Sequence, residues 1–94
     1  MPALLTAPDP APWWRLARVL AAQADELRAQ ARRIVATAES TRWNSPAATV
    51  FTSRARQAAE RAVRIAGGMD EAAATARHHA VALAKVAASL ASAP

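Results

Sequence analysis

Ninety-four residues with 53% hydrophobic content, no Cys and a net charge of +5 make one domain at most, with neither a disulfide framework nor a thiolate metal site. More than half of the hydrophobic residues are Ala, and each buried Ala methyl is worth only about 0.8 kcal/mol, so a second chain is expected to complete the core. The charge is carried by Arg apart from Lys85 and points to nucleic acid, an acidic membrane surface or an acidic protein as partner.

Residues 1–12 hold four prolines, Pro2, Pro8, Pro10 and Pro12. Proline favours extended backbone and cannot donate a hydrogen bond, so this stretch reads as a Pro-rich flexible arm. It lacks the basic region and long apolar core of a secretory signal. No later stretch is long and apolar enough for a membrane span of about 20 residues.

Helix one is predicted over about 13–40, with a seam of Trp13, Ala17, Leu20, Ala24, Leu27, Ala31, Ile34 and Ala38. Its alternation of four and three is that of helices packed side by side. Arg15, Arg18, Asp25, Glu26, Arg32, Arg33 and Glu39 fall off the seam and read as a solvated face. Trp14 and Leu16 widen the apolar face beside Trp13.

The elbow is placed at 41–45. Ser45 suits a helix N-cap and Pro46 a first helical residue. Helix two then runs over about 46–91, with the seam Phe51, Ala55, Ala58, Ala62, Ile65, Met69, Ala72, Ala76, His79, Leu83, Val86 and Leu90. Gly67-Gly68 interrupts good helix formers, yet the seam crosses it in phase. The fold class is therefore an all-α antiparallel helical hairpin pairing into a four-helix bundle, with the glycines marking a kink or a close helix approach. The alternative is a three-helix bundle broken at Gly67-Gly68, in which Asp70 would cap a third helix.

Folding at the elbow is expected to set Leu27 near Glu60, Leu20 near Gly67 and Trp13 near Ala74. Helix one then ends first, and the seam from His79 to Leu90 needs a surface on another chain. The interface is accordingly assigned to Trp13, Leu20, Leu27 and Ile34 on helix one, and to Ile65, Met69, His79, Leu83, Val86 and Leu90 on helix two. Arg54 and Arg61, seven apart beside the second seam, are assigned to charge pairs with acidic residues of the partner. Arg56 and Arg64, with Glu60 between them, read as local surface pairs.

Catalysis finds no support: there is no nucleophile setting, Gly-rich phosphate loop or pair of pocket carboxylates. No cofactor is expected. His78 and His79 diverge by about 100° on a helix and lack a third ligand, so no metal site is expected either. His79 reads as an interface residue, with pH sensing as a secondary role. The competing function is a basic Ala/Arg-rich helical nucleic-acid-binding protein. Against it, the Arg residues are spread over several faces and interrupted by acids.

The run Trp43-Asn44-Ser45-Pro46, with Ala47, Ala48 and Phe51 following, resembles the elbow of the WXG (Trp-x-Gly) family of small type VII (ESX) secretion proteins. Ser45 stands where that family has its signature Gly. The resemblance covers helix one, the elbow and helix two, and it makes Trp43, Ser45, Pro46 and Phe51 the elbow motif. It implies a four-helix bundle of two hairpins, as a homodimer or as a heterodimer with a related small helical protein, which the basic charge of this chain leads one to expect to be acidic. It also implies secretion without a cleaved signal peptide, from the cytoplasm, as a substrate or co-secreted partner. A larger exported effector is a further partner of this kind. The family's export signal, a Tyr followed four residues later by Asp or Glu, is missing from a chain with no Tyr, so either the partner is expected to supply it or the chain is a chaperone-like, non-exported relative.

Overall fold

The computed structural model describes residues 7–40 and 45–93. Two α-helices account for nearly all of them: α1, Ala11–Ser40, and α2, Pro46–Ala91, packed against each other as an antiparallel hairpin. One chain supplies two helices, and a four-helix bundle would take a second hairpin.

Local chemistry sets the helix ends. The Ala11 N–H donates to Asp9 Oδ1 at 2.9 Å, and the Trp13 and Trp14 N–H groups donate to the Pro10 carbonyl. Asp9 and Pro10 therefore start α1 two residues ahead of the expected Trp13, with Pro12 in the first turn, where a missing N–H costs nothing. At α2, Ser45 is extended (φ −148°, ψ 157°) and its hydroxyl accepts from the Ala48 N–H at 3.1 Å, with Pro46 following. That geometry satisfies one of the orphan donors of the first turn.

Among the described residues, the buried core is made of alanine alone. Ala17, Ala24, Ala31 and Ala38 are buried on α1, seven residues apart, and Ala59, Ala66, Ala73 and Ala80 are buried on α2 at the same spacing, joined by Ala76 and Ala48. Ala24, Ala66 and Ala80 are fully buried, while no larger described side chain is. The expected α1 seam is thus half right: its alanines face α2, and its large residues stand beside the contact. On α2 the expected seam is also half right: its line of Ala55, Ala62, Met69, Ala76 and Leu83 is buried or half-buried, while on its other line Ala59 and Ala66 are interior where Ala58 and Ile65 were expected. A helix with a single neighbour buries one narrow line, and small residues on that line let the two backbones approach closely.

Register differs as well. Trp13 meets His79 edge to face, with ring centroids 4.3 Å apart, instead of Ala74. Leu27 shares a groove with Met69 instead of Glu60. Leu20 lies with Ala72 and Ala76 rather than Gly67. His79 therefore has an intramolecular mate, burial on α2 continues through Ala80 with Leu83 half-buried, and the open part of the seam is Val86 and Leu90.

Gly67 and Gly68 sit inside α2 without a positive φ, so α2 does not turn back at this point. A methyl group built on either would meet nothing within 4 Å. They do not mark a close helix approach, and Asp70 caps no third helix. It binds Arg28 across the hairpin instead.

The result is a rod of 76 × 18 × 13 Å with a radius of gyration of 21.8 Å, where a compact chain of this length has about 12 Å. Its accessible surface is 6960 Å², against about 5,200 Å² for a compact monomer of the same mass.

Candidate protein-interaction surface

Displacing the large residues from the seam gathers most of them on one side of the hairpin. Near the N-terminus of α1, Trp13, Leu16 and Leu20 form a shallow groove with Ala72, Ala76 and His79 of α2. At mid-length Leu27 and Met69 continue it. Toward the elbow it is lined by Ile34 and Thr37 from α1 and by Phe51, Ala55 and Ala58 from α2. Ile65 and Val86 fall on the line of Phe51, Ala58 and His79 at steps of seven, and Leu83 and Leu90 on that of Ala55, Met69 and Ala76. Helical periodicity puts all four on the same side.

This face is open. Ile34 is 39% exposed, Phe51 48%, Ile65 58% and Leu90 55%. Leu20, Leu27, Met69 and Leu83 are half-buried, lying closer to the alanine seam. The assigned interface residues from both helices thus share one apolar strip, which continues along α2 beyond Trp13's contact with His79. Trp43 lies outside the described residues.

The opposite face is also partly apolar, but it carries the ion pairs that cross the hairpin. Its groove contains Arg28, Val35 and Glu39 of α1 with Ala59 and Val63 of α2. Arg28 pairs with Asp70 across the hairpin and with Asp25 on its own helix at 3.4 Å, and Arg56 pairs with Glu39 at 3.0 Å. The hydrogen bond that Arg28 donates to Asp70, together with the carboxylate charge, raises the Arg28 pKa above arginine's ordinary value against an opposing desolvation. Trp14 shares the line of Arg28 and Val35 at steps of seven, so it belongs to this side and does not widen the strip around Trp13. Arg56 is turned to Glu39, which replaces the expected local pairing with Glu60.

The pairing of Arg28 with Asp70 was not anticipated from the sequence. Its signal is positional: each residue lies four after a buried alanine, Ala24 and Ala66, and so on the same flank. Once the alanine lines are chosen as the contact, the two fall opposite each other.

Arg54 and Arg61 stand at the rim of the elbow-end groove and make no ion pair among the described residues. Arg33, at the same rim, is held by Glu26 at 3.0 Å. No group of three or more His, Cys, Asp or Glu among the described residues is placed to hold a metal ion. No described helix is long and apolar enough to cross a membrane. Compared with protein-family models, curated proteins and solved structures, the chain gives no significant match.

Proposed function

We propose that this chain is an interaction hairpin that acts by pairing its apolar strip with a second helical chain, giving a four-helix bundle. The setting is type VII (ESX) secretion, with the hairpin as a substrate or co-secreted partner and the companion supplying the export signal. The observation that carries the pairing is the separation of small from large: alanines serve the internal contact, and Ile34, Phe51, Ile65 and Leu90 are left open on one face. A contiguous apolar face of this kind marks an interaction site. The hairpin's area exceeds that of a compact monomer by more than the roughly 800 Å² that one partner contributes to a standard interface. The secretion setting rests on the resemblance at the elbow, where Ser45 and Pro46 begin α2 with Phe51 one and a half turns on.

Light scattering on the purified chain, alone and co-expressed with the product of a neighbouring small gene, tests the pairing. A mass of two hairpins is expected in at least one sample. Replacing Leu83→Asp and Leu90→Asp together, both C-terminal to the Trp13–His79 contact, should return that mass to a single hairpin while most helicity survives. An unchanged mass in the double variant, or a solitary monomer in every sample, contradicts the pairing. The secretion setting is tested by following a tagged chain in cells with and without the type VII translocation ATPase. Export that persists without the ATPase contradicts it.

A further inference from the structure

The two faces of the hairpin use their charges differently. On the ion-paired face, Arg28 is met by Asp70 and Asp25, and Arg56 by Glu39. Asp9 is taken up at the start of α1, and Glu26 holds Arg33. Of the seven acidic residues in the chain, two are left. Glu60 opens onto the groove with Arg56 and Gln57, away from the apolar strip. Glu71 is five residues on from buried Ala66 and so points away from α1. The apolar strip therefore has cations at its elbow end and no carboxylate free to answer them.

We infer that the elbow-end groove between Ile34 and Phe51, rimmed by Arg54 and Arg61, is the docking site for an acidic amphipathic helix of a different chain. This rests on the apolar strip being a pairing surface and specifies the chemistry of what covers it. Ile34, Phe51, Ala55 and Ala58 offer an apolar floor for a stripe of Leu or Ile. Arg54 and Arg61 are two helical turns apart, about 10.5 Å along α2, and call for carboxylates at the same separation on one edge of the incoming helix. A second copy of this chain answers the floor but poorly answers the rim, because the one carboxylate it brings to the strip, Glu26 beside Leu27 and Met69, is already paired with Arg33. Charges at the edge of an apolar contact act mainly by steering and by excluding wrong partners.

The test uses the full chain and three synthetic four-heptad peptides with the same Leu stripe, carrying Glu, Gln or Lys at edge positions seven apart. Binding is followed by fluorescence anisotropy at low and high salt. The Glu peptide should bind about tenfold more tightly than the Gln peptide at low salt, with the gap closing as salt screens the charges. Substituting Arg54→Glu and Arg61→Glu should shift the preference to the Lys peptide. Arg54→Lys with Arg61→Lys should keep the original order. Both arginines are exposed, and helicity of each variant by circular dichroism establishes that the fold is intact. Equal binding of the Glu and Gln peptides overturns the acidic partner while leaving the pairing surface standing, since that is read separately from Leu83 and Leu90. Absence of peptide binding overturns the site. So does a self-associated chain that no peptide displaces, or tighter binding of a labelled single-stranded oligonucleotide than of the Glu peptide.

Discussion

Along the hairpin, Ala66 and Ile65 are neighbours in sequence with opposite fates. Ala66 is fully buried against α1, while the larger, more hydrophobic Ile65 is 58% exposed. The same division holds between Ala31 and Ile34 on α1. In a globular core the larger residue would be expected inside, because burial scales with apolar area. Here the internal contact is a two-helix seam, which favours the residue that lets backbones approach. Ile34, Phe51, Ile65 and Leu90 are left on one face, where a further layer would cover them.

The largest expected effect comes from exchanging those roles. Ala66→Leu forces a bulky side chain between the helices and should cost about 1–3 kcal/mol in chemical denaturation of the chain under monomeric conditions. Ile65→Ala, one residue away, should cost under about 0.5 kcal/mol in the same measurement yet weaken assembly when the chain is concentrated or mixed with its partner. If Ile65→Ala is the more damaging to the isolated hairpin, the seam has been assigned to the wrong line.

A smaller effect is expected where α2 begins. Ser45→Ala removes the hydroxyl that accepts from Ala48 and should lower stability by about 1 kcal/mol. Of similar size and opposite sign, Gly67→Ala and Gly68→Ala should each raise stability by up to about 1 kcal/mol, because the helix gains propensity and the added methyl meets nothing. Gly68 follows Arg54 and Arg61 at steps of seven, so a loss of assembly there fits the rim of the strip, whereas a loss in the Gly67 variant would mean that a partner approaches α2 from the Glu60 side. The comparison between faces would then need a second contact surface.

Asp70→Asn should have the least effect, a slight fall in melting temperature that shrinks further in high salt, since the pairing is partly exposed. Its pH signature follows from the raised Arg28 pKa. A cation whose folded value is raised contributes fully at every pH below its unfolded value, and that contribution is lost only as pH rises through the folded one. On the arginine side, stability from this pair should therefore be flat across neutral pH. A loss between mildly acidic and mildly basic conditions that disappears in Asp70→Asn would contradict it.

Part of this organisation can be read from the residues. Ser45-Pro46 has a direct chemical meaning as a helix start, and the α1 alanines at steps of seven identify the inner line. The α2 line is harder because alanine occupies adjacent positions, 58 and 59, then 72 and 73. Two neighbouring lines then fit a spacing of seven equally well. Weighting by hydrophobicity selects the one through Ile65 and His79, the outer one. Asp9 was hidden in the Pro-rich arm, although its carboxylate caps α1. Register depends on which alanines meet across the seam, and neither helix alone encodes that. Arg54 and Arg61 were recognisable as flanking residues, but their lack of an internal partner emerges only once the other arginines are seen to be paired.

The most direct test uses the absence of native Cys. Single thiols placed by Ile65→Cys and Ala66→Cys report the two faces separately in a labelling-rate experiment. In dilute chain the thiol at 65 should react at nearly the rate of a free thiol and become protected when the chain is concentrated or mixed with its partner, while that at 66 stays protected throughout. Equal rates at the two positions, or protection at 65 in a demonstrated monomer, would contradict an alanine seam with an open apolar face.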